Sequence, residues 1–127
     1  MIVVDSSALL AVLQGEPEGP ACLAELESND EILISAGTLA EALIIAAHRN
    51  LRNDLSQMIT RLQIEVVPAT EVTAQFCADA HQRWGKGIHR AGLNFGDCFA
   101  YALAKSRDCP LLFIGNDFSR TDIISVL

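Results

Sequence analysis

The chain has 127 residues, half of them apolar and a fifth charged. That length suits a single domain with a real core, and the composition excludes a disordered protein. A net charge of −7 argues against a protein that simply coats nucleic acid.

Ile2-Val3-Val4 is a short β-branched run ended by Asp5, the pattern of a buried strand. Ser6 and Ser7 are placed to cap a helix that runs to Gln14. Gly15-Glu16-Pro17 predicts a turn, and a second helix starts at Pro20 and continues through Ala21 to Leu26. Ile32-Leu33-Ile34 reads as a second buried strand, and the Ala- and Leu-rich stretch from Ser35 to His48 as a long helix. Arg52 to Leu62 predicts another helix, and Ile64 to Val67 a third strand stopped by Pro68. Thr70 caps a helix ending near Trp84. Gly85 to Gly92 is a glycine-containing loop that holds Lys86, His89 and Arg90. Asn94 or Phe95 opens a helix to Arg107, Leu111 to Ile114 is a fourth strand, and Ile123 to Val126 is a candidate fifth. Apolar strands separated by helices predict an α/β fold, with a mostly parallel sheet of four to five strands and helices on both faces. Such sheets bind ligands outside the carboxyl ends of their strands, where the strand order switches.

No apolar run approaches the ~18 residues of a membrane helix. The amino-terminal segment has no basic region and carries an acid at position 5, so a cytoplasmic protein without membrane contact is expected. Cys22, Cys77, Cys98 and Cys109 lie far apart with no CxxC pair, which favours buried free thiols over a zinc site or a disulfide framework. Residues 1–48 carry eight acids and no Lys or Arg, whereas residues 49–127 carry eight acids and nine bases. A surface for a polyanion therefore belongs to the second part, at Arg49, Arg52, Arg83, Lys86 and Arg90.

Four acids stand out. Asp5 follows the first strand directly, and Asp117 follows the fourth after a short turn, so both belong at the carboxyl edge of the sheet. Glu41 falls in a mostly apolar helical stripe with Thr38, Ile44, Ile45 and His48. Asp97 lies near the start of its helix, at helical spacing from Asn94 and Tyr101. Asp5, Glu41 and Asp97 have no Lys or Arg within four residues, and Asp117 has only Arg120. Partly buried carboxylates need a neutralising partner. Several of them with few bases form the hard-oxygen set suited to Mg²⁺ or Mn²⁺. Helix capping or turn formation is the plainer role for Asp5, Asp97 and Asp117. Other chemistries lack their residues. There is no Gly-rich phosphate loop and no GxSxG elbow, and His48, His81 and His89 share no ligand spacing. Trp84 reads as a core or edge residue.

The run Val4-Asp5-Ser6-Ser7, then Thr38-x-x-Glu41, then Leu93-Asn94-Phe95-Gly96-Asp97-Cys98, then Gly115-Asn116-Asp117-Phe118 resembles the PIN-domain ribonucleases. More narrowly it resembles the VapC toxins of bacterial toxin–antitoxin pairs, and the likeness extends over a single domain covering nearly the whole chain. The resemblance implies that Asp5, Glu41, Asp97 and Asp117 hold Mg²⁺, with Mn²⁺ able to substitute. Ser6, Thr38, Asn94 and Asn116 would support them. It implies hydrolysis of single-stranded RNA to 5′-phosphate and 3′-hydroxyl ends, a homodimer, and a small VapB-like antitoxin as silencing partner. Lys86 and Arg90 are candidate RNA contacts at the rim of the acid cluster. Two positions depart from the family pattern: Ile114, where a Lys is expected, and Arg90, where a Pro is expected.

A receiver domain would need an Asp after the third strand, where Val66-Val67-Pro68 stands. A haloacid-dehalogenase-like phosphatase would need an Asp at position 7, which is Ser. The alternative from another class is a PIN-like module that binds RNA or protein with little or no catalysis.

Overall fold

The computed structural model describes residues 1–127. Strand β1 (Ile2–Val4) leads into helix α1 (Ser6–Leu13) and helix α2 (Gly19–Ser28). Strand β2 (Ile32–Ser35), helix α3 (Ala36–His48), helix α4 (Arg52–Arg61) and strand β3 (Glu65–Val67) follow. Helix α5 (Glu71–Trp84), helix α6 (Phe95–Ser106), strand β4 (Leu111–Leu112) and a 3-10 turn (Phe118–Arg120) complete the chain.

The sheet is parallel throughout, in the order β3-β2-β1-β4. Strand β1 lies inside it, with Val3 paired to Leu33 on one side and Leu111 on the other. Side chains along a strand alternate between faces, and here they feed two cores. Ile2, Val4, Ile32, Ile34 and Leu112 pack with Leu9, Leu26 and Leu55 from α1, α2 and α4. Val3, Leu33 and Leu111 pack with Cys77, Ala80, Cys98, Tyr101 and Leu103 from α5 and α6. The result is the expected three-layer α/β architecture. From β1 the chain moves outward through β2 to β3, then returns to β4 on the other side of β1. The strand order therefore switches at β1, beside the end that carries Asp5.

Three local expectations are corrected. Ser6 and Ser7 do not cap α1; they form its first turn, and the Asp5 side chain is the cap, accepting from the Ser7 amide. Strand β4 stops at Leu112 instead of Ile114, because the Ile114 amide turns away to donate to the Ser7 hydroxyl at 3.0 Å. The candidate fifth strand is one parallel bridge, Leu111 to Ser125. Helix α2 extends two residues beyond the expected Leu26, with Pro20 in its first turn as anticipated. No helix is long and apolar enough to cross a membrane. All four cysteines are free, and Cys22, Cys77 and Cys98 are buried.

Candidate active site

Strand β1, helices α3 and α6 and the 3-10 turn each deliver one acid to the same edge. Asp5 is only 3% exposed at the end of β1. Its Oδ2 accepts from the Ser7 amide at 3.1 Å and the Ser7 hydroxyl at 2.7 Å. Its Oδ1 is buried and has no hydrogen-bond partner. Burial raises the Asp5 carboxyl above the ordinary carboxylate range; the bonds from Ser7 oppose this, and the charge on Glu41 adds to it. A buried carboxylate oxygen left unpaired costs free energy unless a cation or a proton reaches it.

Glu41 sits on α3, half-buried, where Ser6 donates its hydroxyl to Oε1 at 2.8 Å. The carboxylate packs directly over Gly96 in the first turn of α6, so closely that a Cβ there would collide with it. Gly37 opens the same helix pair: a Cβ at that point would enter the Phe99 ring. These two glycines let α3 and α6 approach and bring Glu41 beside Asp97.

Asp97 is the third residue of α6 and closes a reciprocal cap with Asn94. The Asn94 amide donates to Asp97 Oδ2 at 3.0 Å, and the Asp97 amide donates to Asn94 Oδ1 at 2.8 Å. The carboxyl is nevertheless pushed up to about 6, first by burial and then by the charges of Asp5, Asp117 and Glu41. All three other acids thus act on Asp97. Asp117 opens the 3-10 turn, exposed, with no side-chain cap bond.

No base of the chain neutralises this cluster. The two salt bridges in the molecule, from Arg83 and Lys105, both end on Asp122 instead. The donor set is all oxygen, which suits a hard divalent ion. As the side chains stand, no three His, Cys, Asp or Glu residues form a group that could hold an ion.

The supporting residues divide. Ser6 and Asn94 bond to acids of the cluster. Thr38 is fully buried with its hydroxyl unpartnered and touches none of the acids by hydrogen bond. Asn116 contributes its carbonyl to the Ser119 hydroxyl, and its side chain bonds to no acid. Lys86 and Arg90 are exposed and free of salt bridges. The Arg90 carbonyl lies 3.4 Å from Arg120 Nη1, which ties the basic loop to the turn after Asp117. At Ile114, where a Lys was expected, the side chain packs against the core beneath α1–α4.

Sequence reading gave Ser7, which grips Asp5, only a helix-capping role, and Gly96, which seats Glu41, only a place in a motif. A glycine in the first turn of a helix was the available signal for a close approach. The same reading missed Asp122, and it named Arg83, Trp84 and Tyr101 without linking them to that acid.

The PIN domain family model matches residues 2–124. The chain belongs to the PIN domain family. Among curated relatives, ribonuclease VapC30 of Mycobacterium tuberculosis is 40% identical over 128 residues, covering 98% of each chain. Among solved structures, M. tuberculosis VapC20, described as a sarcin–ricin loop cleaving toxin, superposes with a TM-score of 0.80 at 16% identity, covering 99% of this chain and 98% of that one. A toxin–antitoxin complex from Klebsiella pneumoniae matches with a TM-score of 0.74 at 16% identity, over 96% and 93% of the two chains.

Proposed function

We propose that this protein is the toxin of a type II toxin–antitoxin pair, a cytoplasmic endoribonuclease that uses Mg²⁺ or Mn²⁺ to hydrolyse single-stranded RNA. The observation that carries the reading is the cluster of Asp5, Glu41, Asp97 and Asp117 at the strand-order switch, uncompensated by any base; burial first, and then the charges of the other three acids, raise Asp97 to about 6. The similarity to VapC30, a named ribonuclease, supports the same activity.

Asp5, Asp97 and Asp117 would hold the ion, with Glu41 as the fourth carboxylate. The free Asp5 Oδ1 is the oxygen most in need of a cation. When bound, the ion supplies water activation and charge stabilisation for in-line displacement at phosphorus, leaving 5′-phosphate and 3′-hydroxyl ends. The chain's own residues prepare the site. Ser7 fixes the Asp5 carboxylate through Oδ2, Ser6 fixes Glu41 through Oε1, and Asn94 fixes Asp97 through Oδ2. These three carboxylates are thereby oriented before substrate arrives. Lys86 and Arg90 supply positive charge for an RNA backbone that the acids repel.

The resemblance also supports a homodimer and a small VapB-like antitoxin that inserts an Arg among the carboxylates. A planar guanidinium pairs a carboxylate through two hydrogen bonds and would exclude metal and phosphate together.

The test is incubation of purified protein with single-stranded and duplex RNA in Mn²⁺, in Mg²⁺ and in chelator, with the product ends typed by ligation. Cleavage of the single strand only, lost in chelator and leaving ligatable 5′-phosphates, is expected. Binding without cleavage in either metal would instead establish the binding-module alternative.

A further inference from the structure

Asp117 is the least supported of the four acids. Its side chain is exposed, and most hydrogen bonds of residues 116–123 are local. The Arg120 amide reaches Asp117, Thr121 reaches Phe118, and the Ile123 amide reaches the Thr121 hydroxyl. Something outside the segment must fix it in place. Phe118 is buried against Phe113, with ring centroids 5.2 Å apart, and past the segment Ile124 and Val126 hydrogen-bond to the Leu111 backbone, so the turn is held at its apolar side and at its end but not by any polar contact of the Asp117 side chain.

The polar anchor lies at Asp122. Tyr101 donates its hydroxyl to Asp122 Oδ1 at 2.6 Å, and Trp84 Nε1 donates to the same Tyr101 oxygen at 2.9 Å. Asp122 Oδ2 takes Lys105 at 3.3 Å and Arg83 at 3.6 Å. Arg83 in turn stacks over the Trp84 ring, 4.6 Å from its centroid. Both salt bridges of the molecule and a charge-assisted hydroxyl bond thus converge on one exposed acid. An isolated surface pair contributes little, but three donors on one carboxylate restrict its geometry far more.

Two features connect this anchor to the acid cluster. Asp97 and Tyr101 stand four residues apart on α6, so one helical face carries the acid and, a turn later, the anchor's hydroxyl. Asp117 and Asp122 bracket the 3-10 turn. We propose that Tyr101 and Asp122 are positioning residues, a clamp from α6 that holds the Asp117 turn at the acid cluster. The clamp also reaches the basic loop. Trp84 packs edge-on against His89 at 4.8 Å, and Arg120 meets the Arg90 carbonyl. The clamp's purpose rests on the reading of the four acids as a cation site, and it gives Tyr101 a role within that site.

The test compares wild type with Tyr101→Phe, which removes only the hydroxyl, in two readouts. The first is amide hydrogen exchange of the metal-free protein. Exchange at residues 117–123 should accelerate by about tenfold or more, while β1 and β2 keep their protection. The second is Mn²⁺ affinity by calorimetry. It should fall by about tenfold, as outer-sphere supports of metal ligands do when removed. Adding Tyr101→Phe to Asp117→Asn should lower Mn²⁺ affinity no further, because the clamp reaches the cation site only through Asp117. Unchanged exchange at 117–123, acceleration spread evenly over the chain, or multiplicative effects of the two substitutions would each overturn the proposal. Asp122→Ala, outside the apolar cores, gives the same readings where Tyr101→Phe does not fold. The cation-site reading fails separately: Asp97→Asn would then bind Mn²⁺ as tightly as wild type.

Discussion

Replacing Asp97 by Asn should make the metal-free protein more stable while destroying its activity. The introduced side-chain amide keeps an oxygen that accepts from the Asn94 amide, so the cap of α6 survives and only the charge is lost. The raised carboxyl means that ionised Asp97 weakens the folded state. The rise from 3.8 to about 6 corresponds to a ceiling of ~3 kcal/mol. The residue is half-exposed, so solvent screening brings this to roughly 1–2 kcal/mol, and the lost attraction to the helix amino terminus removes about 0.5 kcal/mol more. A net gain near ~1 kcal/mol raises Tm by about 3–5 °C for a domain of this size. The sign has a pH signature. The folded pKa of about 6 lies above the unfolded value of 3.8, so the penalty is fully present above pH 6 and is relieved as pH falls toward 3.8. The advantage of Asp97→Asn should therefore appear at pH 7.5 and vanish at pH 4. Scanning calorimetry at both pH values measures it. Added Mn²⁺ should reverse the order at pH 7.5, since an ion at 100 times its Kd stabilises the competent protein by about 2.7 kcal/mol. A variant that melts several degrees below wild type in chelator at pH 7.5 would show that Asp97 is chiefly a cap and refute the argument.

Gly96→Ala should displace the Glu41 carboxylate from Ser6 and lower kcat by about tenfold or more. Far-UV circular dichroism should stay native, because Ala is the better helix former; wild-type turnover would mean that Glu41 is not needed where it sits. Lys86→Ala with Arg90→Ala should weaken RNA binding and flatten its salt dependence by about one to two units of slope, without loss of Mn²⁺ affinity. An unchanged slope would place the RNA path on another side of the acids. Affinity for the antitoxin should fall as Mn²⁺ rises, beyond the effect of monovalent salt at equal ionic strength; equal effects of the two salts would put the partner away from the acid cluster.

Elements governed by neighbouring residues were readable in the sequence. The apolar runs at residues 2–4 and 32–34 form parallel strands, and Thr70 and Asn94 open their helices as their types predict. Asp5, Glu41, Asp97 and Asp117 stand out because carboxylates without nearby bases need explanation, and the fold brings the other three into electrostatic range of Asp97. The capping role of Asp5 and Asp97, set against metal binding in the sequence, is compatible with it: one oxygen of each accepts the cap bond and the other is left over. What remained hidden is long-range. Ser7 appears as a cap residue until the Ile114 amide, 107 positions away, is found on its hydroxyl. Gly96 acquires its meaning only from α3 packing against α6. The clamp joins residues 83 and 84 of α5, 101 and 105 of α6 and residue 122, three segments that no period links to one another. The missing fifth strand has a similar origin, since only Ser125 comes into register with Leu111 and Ile124 stays exposed.

Four carboxylates that form one cation-dependent catalytic centre must all act on the same metal titration. The most direct measurement is the initial rate of single-stranded RNA cleavage across a range of Mn²⁺ concentrations. It should be made for wild type and for Asp5→Asn, Glu41→Gln, Asp97→Asn and Asp117→Asn. Wild-type rates should rise to saturation and fall to zero in chelator, with each substitution abolishing cleavage or shifting the curve to higher Mn²⁺ by about tenfold or more. Cleavage that survives chelator, or four variants that follow the wild-type curve, would contradict the account.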